Sequence, residues 1–163
     1  MTIHIHIENE QCQVSYTSQN KTDPPTSNAG REPSANYIEM ATRTDKRRII
    51  KDPDGYGKRT GTCGDTVEMF LIVRHNRIHE VFFITDGCIN THACANTVSF
   101  LAQGKSIAQA WGITPEKVIR FLKTLPQENA HCAELAVGAL YLALVNFQEF
   151  KHAPWKRFYD RRT

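Results

Sequence analysis

The chain contains no CxxC pair, no GxSxG elbow and no phosphate-binding glycine loop. These absences argue against a zinc ribbon, a thioredoxin-like redox pair, a serine hydrolase and a P-loop nucleotide enzyme. It has little charge of one sign: a formal net charge of +3 over 163 residues gives no footprint for nucleic acid. Its longest apolar stretch, Leu135 to Val145, is short against the ~20 residues that span a bilayer, so no membrane association is expected. Met1 to Glu10 alternates polar and apolar residues without a continuous apolar core, unlike a secretory leader. A reducing, cytoplasmic setting is therefore expected, where cysteines more often bind metal or do chemistry than form bridges. Five cysteines would in any case leave one unpaired. There is no internal repeat. Hydrophobic residues make up 40%, lean enough to expect part of the chain outside the core.

What is present falls into three regions: an N-terminal arm over residues 1–35, a main domain over 36–150 and a basic tail over 151–163. In the arm, Thr2 to Ile7 alternates with period two like a short strand, with His4 and His6 read as solvated. Residues 19–35, rich in Asn, Ser, Thr and Pro, read as a linker. In the main domain Tyr37 to Ala41 suits a helical turn and Asp52 to Gly57 a turn-rich loop. Thr66 to Val73 and Arg77 to Thr85 form a predicted hairpin about His75-Asn76, with Ile78, Val81, Phe82 and Phe83 as core candidates. The period then becomes helical. Ala93, Thr97, Phe100 and Leu101 share one face, and Gly104 ends that helix. Ser106 caps a short helix over Ile107 to Trp111, and Thr114-Pro115 opens another with Val118, Ile119, Leu122 and Leu125 inward, stopped by Pro126. His131 to Phe150 is the longest predicted helix, with Leu135, Ala139, Leu142 and Val145 inward. Trp111 and Trp155 read as packing residues.

Three short motifs carry chemistry: Cys63-Gly64-Asp65, Gly87-Cys88 and His131-Cys132. Thiolate, imidazole and carboxylate are the donors that hold zinc and iron–sulfur clusters. If the segment is extended, Cys63 and Asp65 point to one side. The alternative is a buried cysteine beside a turn aspartate. Cys88 and Cys132 both open predicted helices, where the positive end of the dipole lowers a thiol pKa below its free value. His131 can act as ligand or as proton acceptor for Cys132. Cys94 reads as a packed core thiol, and Cys12 as incidental.

The stretch from about Gly61 to Phe147 resembles the NifU/IscU-type iron–sulfur cluster assembly scaffold. The resemblance rests on Gly61-Thr62-Cys63-Gly64-Asp65, the hairpin, Thr85-Asp86-Gly87-Cys88, Gly104-Lys105-Ser106, Leu125-Pro126 and His131-Cys132-Ala133-Glu134-Leu135-Ala136, in matching order and spacing. It implies a small α+β fold, a three-stranded antiparallel sheet packed on one side by helices. It implies that Cys63, Cys88 and Cys132 bind a transient 2Fe-2S cluster, with Asp65 and His131 completing or tuning the site, and that zinc can occupy the empty site. It further implies a non-enzymatic role: sulfur arrives as persulfide from a cysteine desulfurase, with Cys132 as acceptor, and the cluster passes to apo iron–sulfur proteins. An electron donor such as ferredoxin belongs to that scheme.

The chain departs from the family at three places. Leu125 to Ala130 lacks the second proline and the lysine found in members served by Hsp70/J-protein chaperones, so the resemblance does not carry those partners over. The N-terminal arm has no recognised counterpart. The small-residue run after Gly-Cys is here Ile89 to Cys94, with His92 read as solvated one turn beyond Cys88. Competing readings are a metal-free persulfide acceptor, a zinc-binding regulatory domain and a Cys-His hydrolase. The first needs only one thiol, and the last lacks a separate general base.

Overall fold

The computed structural model describes residues 32–156. The predicted strand Thr2–Ile7, most of the linker, Cys12 and the far end of the basic tail lie outside them. Three strands, β1 (Gly55–Thr60), β2 (Thr66–Arg74) and β3 (Arg77–Thr85), form an antiparallel sheet in the order β1-β2-β3. Among the described residues, five helices accompany them: α1 (Ala35–Thr42), α2 (Ile89–Ala102), α3 (Ile107–Ala110), α4 (Pro115–Leu122) and α5 (Ala130–His152). A 3-10 turn, Gln127–Asn129, leads into α5. The protein is thus α+β, as the resemblance implied.

The hairpin forms as predicted. His75 (φ 50°) and Asn76 (φ 60°) both adopt the left-handed conformation of a tight two-residue turn, without a glycine. Val67, Met69 and Leu71 alternate inward on β2, opposite Thr85, Phe83 and Val81 on β3. Helices α2 and α5 cover this face, with Ala93, Ala95, Val98, Leu140 and Leu144 buried against it. On the opposite face Tyr56 stacks on Phe70 at 5.4 Å, and Lys46 and Arg48 lie over Phe82 at 5.1 and 4.2 Å.

Several expectations are corrected. Asp52–Gly57 is not wholly loop: β1 begins at Gly55. Its inward residues Gly55 and Gly57 carry no side chain because α5 approaches there, so the strand shows no hydrophobic alternation. Helix α4 ends at Leu122, where Lys123 turns to φ 62°, several residues before Pro126. Phe100, Leu142, Val145 and Trp155 are exposed rather than packed inward. Leu135 and Ala139 are buried as expected, and the small Ala139 and Ala143 face the sheet, which lets helix and strand backbones approach. His92 is not solvated: its ring sits edge-on to Phe83 at 6.1 Å, and burial, then the charge of Arg47, hold its pKa low.

Helix α2 is buried almost all round and carries polar residues inward. Thr97 and Ser99 return their hydroxyls to the carbonyls of Ala93 and Ala95, and Asn96 Nδ2 donates to the carbonyls of Met40 and Arg43 at the end of α1. Among the described residues, the stretch 127–152 containing α5 is long and apolar enough to cross a membrane by length and composition alone. In the fold it is a core helix lying along β1, β2 and α2.

Candidate functional site

Three chain segments meet where the sheet hands over to α2 and α5. The first is the β1–β2 loop. Gly61 N–H donates to the Asp65 carbonyl at 2.8 Å and Gly64 N–H to the Gly61 carbonyl at 3.0 Å. Gly64 takes φ +87°, a torsion that favours glycine. The loop is therefore a closed turn and not the extended segment that would point Cys63 and Asp65 the same way. Cys63 stands exposed at its tip, while Asp65 turns inward and is half-buried.

The second segment is the start of α2. Cys88 takes the N-cap position and is exposed. Burial is the largest influence on its pKa and raises it. The amides of Thr91 and Asn90 and the Thr91 hydroxyl together outweigh that, so the thiol is held below its usual range, as its position at a helix start predicts. Asp65 Oδ2 accepts from the Cys88 amide at 3.3 Å and from the Thr91 hydroxyl at 2.9 Å. Gly87 makes this approach possible, since a Cβ there would lie 2.6 Å from Asp65 Oδ2 and 2.7 Å from Thr91 Cβ.

The third segment is the start of α5. Cys132 Sγ lies 3.3 Å from Thr91 Oγ1 and 3.6 Å from His131 Nε2. His131 Nδ1 is 2.9 Å from the Glu128 carbonyl, which can only accept. Nδ1 therefore carries the proton of the neutral ring and Nε2 presents its lone pair to the cysteine. Here a prediction fails. Cys132 opens a helix as Cys88 does, yet its thiol is pushed up to about 11. It is completely buried, and desolvation is the largest cause. The Thr91 hydrogen bond opposes the rise, while Cys88 and Cys63 add to it by charge.

The structure thus links Asp65, Cys88, Cys132 and His131 in one hydrogen-bonded chain, with Cys63 at the rim. Among the described residues, no three His, Cys, Asp or Glu side chains are disposed to hold a metal ion as they stand. The reason is visible in the contacts: the Asp65 carboxylate is engaged by α2, and Cys132 faces Thr91 and His131. Cys94 is buried, as predicted, and burial pushes its thiol well up. Two residues escaped the sequence reading. Thr91 sits at the centre of the chain, and Tyr37 on α1 donates to Asn90 Oδ1 at 2.5 Å, beside Cys88. The only sequence signal for Thr91 is a hydroxyl residue three positions after an N-cap cysteine.

The NifU-like N terminal domain family matches residues 47–153, and the chain belongs to that family. An iron–sulfur cluster assembly scaffold protein, IscU 1 of Archaeoglobus fulgidus, is 36% identical over 99 residues, covering 60% of this chain and 65% of that protein. The chain thus spans slightly less than two thirds of that relative's length. The iron–sulfur cluster assembly protein IscU of Plasmodium falciparum is 30% identical over 111 residues, covering 64% of this chain and 68% of that one. In fold, the chain is similar to the N-terminal part of a NifU-like protein from Brucella abortus. The TM-score is 0.59 at 12% identity, over 71% of this chain and 94% of that structure.

Proposed function

We propose that this protein is a non-enzymatic scaffold on which a 2Fe-2S cluster is assembled and from which it is passed to apo iron–sulfur proteins. The single observation that carries the reading is the gathering of Asp65, Cys88 and Cys132 around Thr91, with His131 beside Cys132, in a chain of the NifU-like family. Cys63, Cys88 and Cys132 are the thiolate ligands, with Asp65 or His131 as the harder donor. Iron and sulfur are the cargo. Three soft donors and one harder one make a less uniform site than four thiolates. Exposure of Cys63 and Cys88 gives a recipient's thiols a place to compete. Zinc suits the same donor set.

Sulfur delivery requires a thiolate to attack the outer sulfur of a desulfurase persulfide. The new S–S bond forms as the desulfurase cysteine leaves as thiolate. Cys132 is the acceptor in this scheme, and His131 Nε2, 3.6 Å away, is the group placed to take its proton. A buried thiol with a pKa of about 11 is a poor nucleophile at rest, so acceptance follows proton removal or metal entry. Reducing the delivered sulfur to sulfide takes more electrons than ferrous iron supplies on becoming ferric. An electron donor such as ferredoxin makes up the difference.

The test is anaerobic reconstitution with iron, cysteine and a desulfurase, followed by visible absorption. A scaffold develops 2Fe-2S charge-transfer bands and loses yield in each of Cys63→Ser, Cys88→Ser and Cys132→Ser. A metal-free persulfide acceptor never colours and depends on one cysteine. A zinc-binding regulatory domain takes zinc and yields no cluster.

A further inference from the structure

The two edges of the sheet are treated differently. Along β3 the outer edge is engaged: Phe83 N–H donates to the Lys46 carbonyl at 2.9 Å and Ile78 N–H to the Lys105 carbonyl at 2.8 Å. Strand β1 is the other edge and, among the described residues, pairs with β2 alone. Gly61 N–H points towards β2, donating to the Asp65 carbonyl. Antiparallel alternation therefore turns the backbone groups of Tyr56, Lys58 and Thr60 outward. At Tyr56 a side chain stands in for a neighbouring strand: Asn146 Oδ1 of α5 accepts its N–H at 3.0 Å. The helix above this edge is equally incomplete. Gly138, Leu142 and Asn146 succeed one another at one-turn spacing along its overhanging side. Arg59 lies over Gly138, and Asn146 reaches Tyr56. Between them Leu142 is 45% exposed, and its neighbour Val145 43%. A strand added here would bond along Lys58 and Thr60 and turn alternate side chains against Leu142 and Val145.

We propose that this edge is a docking site for the chain's own N-terminal segment Thr2–Ile7, added to β1 as a fourth strand. Ile3, Ile5 and Ile7 alternate with His4 and His6, which gives one apolar side for α5 and one polar side for solvent. Glu8 and Glu10 follow, opposite in sign to Lys58 and Arg59 on β1. A second copy of β1 on the same edge would instead set like charges across from each other, which destabilises a strand pair. The tether is long enough. Ser34 is held at the end of α4 by its bond to the Leu122 carbonyl. About 26 residues separate it from Ile7, a reach of up to about 85 Å, against about 35 Å across a domain of this size. Docked there, the segment braces the strand that leads into the Cys63 loop. The inference is independent of what the cysteines bind.

The experiment follows backbone amide hydrogen exchange of the full chain, residue by residue, by NMR. In the parent the Lys58 and Thr60 amides should be protected. Ile5→Asp sets a charge against Leu142 and Val145, and should speed exchange at both amides by about 10-fold or more. Leu142→Asp should do the same from the helix side. Phe100→Asp, at an exposed apolar position on α2 stacked on Phe121, should leave them unchanged. The amides of Leu71 and Val81 in the core should keep parent protection throughout, which separates undocking from unfolding. Should Leu142→Asp fail to fold, Ile5→Asp alone decides, since it lies outside the packed core. Parent-like exchange at Lys58 and Thr60 in Ile5→Asp overturns the proposal. So does protection that rises with protein concentration and survives Ile5→Asp, the mark of a second copy on the edge.

Discussion

Replacing Gly57 by alanine should destabilise the protein by about 3 kcal/mol, the upper end of the usual cost of overpacking a core. The added Cβ would meet the Ala139 carbonyl oxygen and the Ala143 amide nitrogen, with the Leu142 carbonyl carbon at 2.9 Å. All three are backbone atoms of α5. A side chain could swing aside, but a helix backbone must retreat as a body by about 1 Å to restore ordinary contact distances. At about 4 °C per kcal/mol, the melting midpoint should fall by about 12 °C. The same displacement has a functional side. Strand β1 leads into the Cys63 loop and α5 carries His131 and Cys132, so forcing them apart separates the donors and should lower cluster yield as well. Gly64→Ala is the control. Nothing lies within 4 Å of a Cβ at Gly64, so only the strain of φ +87° acts, worth about 1 kcal/mol. Thermal and urea unfolding of both variants check the ranking. A Gly57→Ala midpoint within about 2 °C of the parent refutes the close β1–α5 contact as the reason for that glycine.

The two titratable thiols should separate by reactivity. The pKa of Cys88 lies below the ordinary value of 9.0 and that of Cys132 near 11, so at pH 8 iodoacetamide should label Cys88 well ahead of Cys132. Cys132 labelling should keep climbing towards pH 11; peptide mass spectrometry after timed alkylation decides the order, and Cys132 labelling first would contradict it. Because the folded state keeps Cys132 protonated longer than the unfolded chain does, its contribution to stability is intact below about pH 9 and declines from there to about 11. Asp65→Ala should lengthen the lifetime of an assembled cluster, by removing the oxygen link that a recipient's thiols displace first. Transfer to an apo-ferredoxin that is unchanged or faster would count against it.

The hairpin and α5 were legible because their signals are local. Thr66 to Val73 is β-branched and apolar, and the His75-Asn76 break has room for only one turn. The fold class came from the resemblance, which the family match supports. Strand β1 was illegible because its inward positions are glycines chosen by a helix more than 80 residues away, so periodicity had nothing to register. The face of α5 was only half legible for the same reason: Leu135 and Ala139 are buried as expected, but Ala143 faces the sheet for close approach and the larger Leu142 and Val145 fall outside. The opposite acidities of Cys88 and Cys132 were equally hidden. Both begin helices, and only depth below the surface, a property of the assembled fold, tells them apart.

The stretch shared with the family starts at residue 47, but the hydrogen bonding does not. Ser34 Oγ donates to the Leu122 carbonyl at 2.5 Å, and Asn36 Nδ2 to the Phe121 carbonyl at 2.8 Å, so the approach to α1 closes the open end of α4. Met40, 1% exposed, fills a place in the core. Trimming the protein to the shared boundary would strip those carbonyls of their donors, leave a hole where the methionine sat, and remove the tyrosine that braces the helix bearing Cys88. The smallest piece worth expressing on its own therefore begins a dozen residues upstream of where kinship becomes visible.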